Sequence, residues 1–182
     1  MKAPVSDKIL AVASGLFFRE GIRTVGIDRI IQEADIAKAT FYRHFPSKED
    51  LVLAYLNDRH ARVMEGLEEV LAACPDARRR IEVIFARLHE KAENPEFRGC
   101  AFALAVAEHG SSDRIVGLAR MHKQAVADLL RRIVGDPAIG GHLALLYDGA
   151  LARRAVTGNA QPMLDARNSA LFLLDAAQAQ VI

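Results

Sequence analysis

GIRTVGIDRIIQEADIAKATFYRHFPSK, residues Gly21 to Lys48, is the stretch on which the reading of this chain turns. In it Ile27, Ile30, Ile31 and Ala34 recur at the one-face spacing of a helix, which predicts a short helix from Ile27 to Ala34. A second short helix is predicted from about Ala37 to Phe45. Only Ala34-Asp35-Ile36 separates the two, too little chain to wander, so the second must cross the first steeply, as in a helix-turn-helix. Asp35 falls where that turn needs a positive φ, which Asp tolerates better than most residues. Phe41 and Phe45, four apart, share a face and point inward, leaving Lys38, Thr40, Tyr42, Arg43 and His44 facing outward. Cations, a hydroxyl and a phenol on one surface suit phosphate oxygens and base edges.

The run Thr40-Phe41-Tyr42-Arg43-His44-Phe45-Pro46-Ser47-Lys48-Glu49-Asp50-Leu51 resembles the closing signature of the DNA-binding domain of the TetR family of bacterial transcriptional regulators. That signature has Thr, an aromatic residue or Leu, Tyr-x-His-Phe, Ser or Asn, Lys and Leu at these spacings. The resemblance is close over the opening part of the chain and architectural beyond it. It implies phosphate contacts from Tyr42, His44 and Lys48, while Arg43 suits phosphate contact and open solvent equally. Lys38, Ala39 and Thr40 begin the second helix and are expected to face the major groove, because the N-terminal residues of a recognition helix read bases. Gly26 caps the first helix of the pair where relatives often carry Thr or Ser, leaving the first-turn amides open to a phosphate. Ala37 replaces a common capping Ser, and Asp35 stands where Gly is usual.

The composition agrees with a folded, helical chain. Of 182 residues 51% are hydrophobic and 26% charged, a globular balance with room for a substantial core. Ala and Leu dominate, and no stretch alternates Val, Ile and Thr with polar residues, so an all-α fold of about nine helices is expected. The net charge of +1 argues nothing for DNA. Residues 1–50 hold eight positive side chains against seven negative, so placement of charge has to carry that reading. Met1-Lys2-Ala3-Pro4 leads straight into an amphipathic helix without a signal peptide, and the longest apolar run, Cys100 to Ala107, falls far short of the roughly 20 residues that span a bilayer. A cytoplasmic protein without membrane contact is expected. Cys74 and Cys100 are too few for a disulfide framework and read as small apolar fillers.

Along the chain, Ser6 is expected to cap a helix to about Glu20, ended by Gly21. The resemblance implies that this helix buttresses the other two, with Leu16 and Phe17 joining Ile30, Phe41 and Phe45 in a small three-helix core. Ser47 and Asp50 form a near capping box at the start of a long helix to about Cys74. Further helices are expected from Pro75 to Glu93, Cys100 to His109, Asp113 to Val134, Gly135 to Gly158 and Gln161 to about Gln180. The Arg78-Arg79-Arg80 run reads as a solvated face, and CAFALAVAEH, apolar nearly all round, as deeply buried. Residues 1–47 are assigned to a DNA-binding domain and 48–182 to a helical ligand-binding and dimerisation domain.

The last two helices carry apolar residues on more than one face and need two partners. In the family they pair with their copies in a four-helix bundle, which puts Leu143, Leu146, Tyr147, Leu171 and Leu174 at a homodimer interface. Phe85, Leu88, Phe102, Val106, Met121 and His122 are candidates for an effector pocket, although apolar residues at helical spacing also describe plain core. His89, His109 and His122 with Glu108 and Cys100 have no recognised metal spacing, and no catalytic, P-loop or dinucleotide motif is present, so no metal, cofactor or enzymatic activity is expected. The resemblance implies a ligand-responsive regulator, a repressor that binds a palindromic operator as a homodimer and is released by a small, mostly apolar effector. An activator reads the same at this level.

Overall fold

The structure, a computed structural model, describes residues 4–179. Over these it is all-α, with nine helices: α1 Val5–Glu20, α2 Ile27–Glu33, α3 Lys38–His44, α4 Lys48–Ala73, α5 Ala77–Glu93, α6 Ala101–His109, α7 Asp113–Val134, α8 Pro137–Thr157 and α9 Gln161–Ala179. Met1 to Ala3 and the expected last residue of α9, Gln180, lie outside the described residues. The chain forms two compact units, residues 4–60 with Ala101–Arg120, and Ala61–Cys100 with 121–179. Helices α4 and α7 each give residues to both.

Helix boundaries follow local chemistry. Ser47 Oγ accepts from the Asp50 amide at 3.1 Å and donates to the Asp50 carboxylate at 2.7 Å, the reciprocal cap expected of α4. Asp76 accepts from the Arg79 amide at the start of α5, and Asp136 from Ala138 and Ile139 at the start of α8. Ser6 does not cap α1. The cap position is Pro4, and the Ser6 hydroxyl turns to Asp7 instead. Ala34, Ala37 and Phe45, expected inside the two short helices, are cap residues.

In the first unit Ile9, Ala13, Leu16, Phe17, Ile30 and Phe41 are fully or almost fully buried, and the Phe17 ring meets Tyr55 edge-on at 5.4 Å. Large side chains such as Phe17 and Phe41 contribute on the order of 1.5–3 kcal/mol each by leaving water. This small core fixes α1, α2 and α3 against one another. Helix α6 departs from expectation: Phe102 and Ala105 are buried, but Ala103 and Ala107 are exposed. Alanines on the outer face present too little apolar surface to demand cover.

In the second unit α9 packs on both α5 and α8. Helix α7 comes close to α8 at Gly140, where a Cβ would lie 2.5 Å from Arg131 Cα, so only glycine permits the approach. Gly99 has φ 84 and a Cβ there would meet the Leu151 carbonyl at 2.6 Å, which explains the glycine before α6. Arg154 is buried without a carboxylate. Its guanidinium donates to the Ala92 carbonyl at 2.7 Å and the Asn94 carbonyl at 2.9 Å, and lies over the Phe97 ring. Carbonyls at the C-terminal end of α5 are electronegative enough to hold a cation there. The arginine run is not simply solvated: Arg78 pairs with Asp175, Arg79 with Glu82, and half-buried Arg80 donates to the carbonyls of Cys74 and Ile133 at 3.0 Å each.

Candidate nucleic-acid interface

The α2–α3 turn is as tight as its three residues require. Asp35 has φ 48, the one positive φ of a non-glycine among the described residues, and its amide donates to Gln32 O at 3.1 Å. The reversal turns Phe41 and Phe45 inward, 0% and 9% exposed, with ring centroids 6.1 Å apart. The helical period then places Lys38, Ala39, Tyr42, Arg43 and His44 on the exposed side, and Thr40 at its half-buried edge. Tyr42 leans its ring edge-on to Phe41 at 5.3 Å, which holds the phenol in place while leaving 42% of the residue exposed.

Charge on this surface is arranged in pairs. Lys38 Nζ meets the Asp28 carboxylate at 3.0 Å, and that hydrogen bond, with Asp28's charge, raises the lysine's pKa. Arg29 bridges Glu20 at 2.5 Å and Glu33 at 3.0 Å, which raises its pKa in turn. Both pairs are exposed, where water screens an ion pair, so phosphates compete with the acids at little cost. Gly26 is exposed with an ordinary extended φ of −81 and open space where a Cβ would be. Nothing in the backbone demands glycine there.

Lys48 is half-buried at the start of α4 and donates to the Arg23 carbonyl at 3.3 Å. Burial lowers its pKa, offset in part by the Glu108 carboxylate. Glu108 accepts from the Arg23 amide at 2.6 Å, so both backbone polar groups of Arg23 are held, one by α4 and one by α6. Two more contacts tie the same regions: Ser112 to Glu49 at 2.5 Å and Arg114 to Asp50 at 3.0 Å. The sequence reading missed Asp28, Glu108 and Arg114, because only the fold brings such partners together. Asp28 alone carried a signal, as an acid beside a helix start.

A sequence profile of bacterial regulatory proteins of the tetR family matches residues 9–55, the segment holding this surface. SCO4454, a TetR-family transcriptional regulator from Streptomyces coelicolor, superposes with a TM-score of 0.84 at 31% identity, over 94% of this chain and 95% of that one. The chain belongs to the TetR family. TetR-family proteins are DNA-binding transcriptional regulators rather than enzymes. The HTH-type transcriptional regulator LmrA of Bacillus subtilis is 30% identical over 83 residues, 45% of this chain and 44% of LmrA. The HTH-type transcriptional activator FasR of Mycolicibacterium smegmatis is 32% identical over 74 residues, 41% of this chain and 34% of FasR. The matched parts are thus under half the length of these two relatives.

The expected pocket residues fall in both units. Phe102 and Val106 belong to the first unit, and Phe85, Leu88, Met121 and His122 to the second. Phe85 is fully buried, His122 is 4% exposed, and Met121 faces solvent. Leu88 does line a cavity, between α4 and α5. Of the residues expected at a dimer interface, Leu143, Tyr147 and Leu174 are buried within the single chain, while Leu146 and Leu171 are half-buried. On α8 and α9 the large apolar residues that the single chain leaves exposed are Leu145 and Phe172, each 72% exposed, and Val156, 87% exposed. Helical phase would have found them: exposed Ala138, His142, Leu145, Gly149, Ala152 and Val156 run at steps of three and four along α8. Among the described residues no group of three or more His, Cys, Asp or Glu is placed to hold a metal, and no helix is long and apolar enough to cross a membrane.

Proposed function

We propose that this TetR-family protein is a repressor that binds a two-fold operator as a homodimer and is released by a small, largely apolar effector held in the second unit. The observation that carries the reading is the exposed face of α3 above its Phe41–Phe45 anchor. Lys38, Ala39 and Thr40 enter the major groove, while Tyr42, Arg43, His44 and Lys48, with the first-turn amides after Gly26, hold phosphates. Residues 1–47, with Lys48 at the start of α4, supply these contacts, and the rest of 48–182 supplies the effector site and the dimer. The protein works where its DNA lies, in the cytoplasm.

The homodimer rests on α8 and α9. Leu145, Val156 and Phe172 are too apolar to be left to water, and the small residues along the α8 stripe let another helix approach closely. Leu146 and Leu171 flank this face. A dimer sets two recognition helices about 34 to 36 Å apart, one turn of DNA. The effector acts by binding one spacing of the heads more tightly than the other, and α4 and α7, whose residues belong to both units, are the route between them.

The test is retardation of the protein's own upstream DNA against random DNA of equal length, in rising salt. Specific retardation that weakens with salt supports the reading, and equal binding to both DNAs rejects it.

A further inference from the structure

Along α4 a slot of about 60 Å³ opens between Val63, Leu67, Ile84, Leu88 and Tyr147. Apart from half-buried Val63 these side chains are buried, so the walls are fixed and apolar. Around the mouth stand Arg62, Arg87 and Lys91, all exposed, and no acidic side chain lines the slot. Glu69 pairs with Arg87 at 3.2 Å, and Arg87 is further steadied by the Gly66 carbonyl at 3.0 Å; pairs as exposed as this yield to a ligand's anion at little cost. Three cationic side chains at the mouth of an apolar slot complement one ligand chemistry, a negative head on a slender apolar chain. Arginine suits a carboxylate in particular, because its planar fork meets both oxygens.

Size narrows the choice. The slot has the room of about two water molecules, enough for the end of a chain but not for a fused ring system, so the head stays among the cations at the rim. The wider groove between α5 and α9, about 560 Å³, lacks this selectivity because Glu82 and Glu90 stand among Arg79, Arg87 and Arg167. We propose that the α4–α5 slot takes a small amphiphilic anion, an unbranched carboxylate, and that this is the regulator's effector. The effector half rests on the function proposed above, whereas binding of the anion does not.

Calorimetric titration of the full-length protein with octanoate tests it, with octanol and octyltrimethylammonium as neutral and cationic counterparts. Octanoate is expected to bind one site per chain at least about tenfold more tightly than octanol, and the ammonium not at all. Arg62→Gln and Lys91→Gln are each expected to weaken octanoate about tenfold and leave octanol unchanged. Val63→Phe, at a position half-open to solvent, fills the slot and abolishes binding of both. No octanoate binding, equal affinity for octanoate and octanol, or octanoate affinity indifferent to both charge substitutions overturns the proposal. Retardation of the upstream DNA is measured in the same titration. Octanoate that binds the slot without releasing DNA overturns its role as effector while the anion site stands, and release of DNA by octanoate supports both.

Discussion

On α3 the exposed positions are Lys38, Ala39, Tyr42, Arg43 and His44, whereas on α8 they include Ala138, His142, Leu145, Gly149, Ala152 and Val156. The first surface is polar, rests on its own buried aromatic pair, and is content in water. The second has small and apolar residues that water does not reward, and Phe172 of α9 is likewise exposed. Such a difference separates two kinds of association. DNA contacts made from α3 would be charge-assisted, weakened by salt and individually replaceable. An α8–α9 interface depends on apolar burial, is little affected by salt, and suits a partnership that persists through binding and release.

The largest effect is therefore expected at the apolar surface. Leu145→Glu combined with Phe172→Glu turns the dimer to monomer in sedimentation and lowers operator affinity about a hundredfold or more, since two half-sites no longer act together. An unchanged dimer would dissolve the contrast. Next come Lys48→Ala and Tyr42→Phe, each expected to weaken all DNA sequences alike by about tenfold without touching the dimer. Lys48→Ala also reduces the salt slope of log affinity by about one, and an unaltered slope removes Lys48 from the phosphate contacts.

A smaller effect concerns the ties beneath the polar surface. The Ser47 hydroxyl, then Arg114, hold the Asp50 carboxyl below its ordinary range. With the folded pKa depressed, its contribution to stability is present above the unfolded value of about 3.9 and is lost as pH falls through the folded value. Asp50→Asn should thus lower the urea midpoint at neutral pH, and the gap should close below about pH 4. A gap constant down to pH 2 would exclude titration of Asp50 as the cause. Smallest is Gly26→Ser, whose hydroxyl reaches the open first turn of α2 and is expected to stabilise by a few tenths of a kcal/mol in thermal unfolding. A loss of stability there would show that the position needs its glycine.

What was legible in the sequence was what short stretches determine. Asp35's positive φ, the inward Phe41 and Phe45, and the Ser47–Asp50 cap each depend on neighbours within a few residues, and all three stand in the structure. Arg80 was misread because its carbonyl partners, Cys74 and Ile133, include one 53 residues away. On α8 and α9 apolar side chains surround much of the helix, so composition alone did not separate Leu143 and Tyr147, used within the chain, from Leu145 and Val156, left outside it. The expected effector residues followed helical period alone. The slot needs Tyr147 brought against α4 and α5, which no local pattern announces.

The central claim is that two copies of α3, joined through the apolar surface, read a two-fold DNA site. A footprint on the retained upstream fragment tests it most directly. The account predicts two inverted half-sites protected in successive major grooves, centred about one helical turn apart, and loss of both together in the Leu145→Glu and Phe172→Glu double variant. A single protected half-site, or paired protection that survives in a proven monomer, would contradict it.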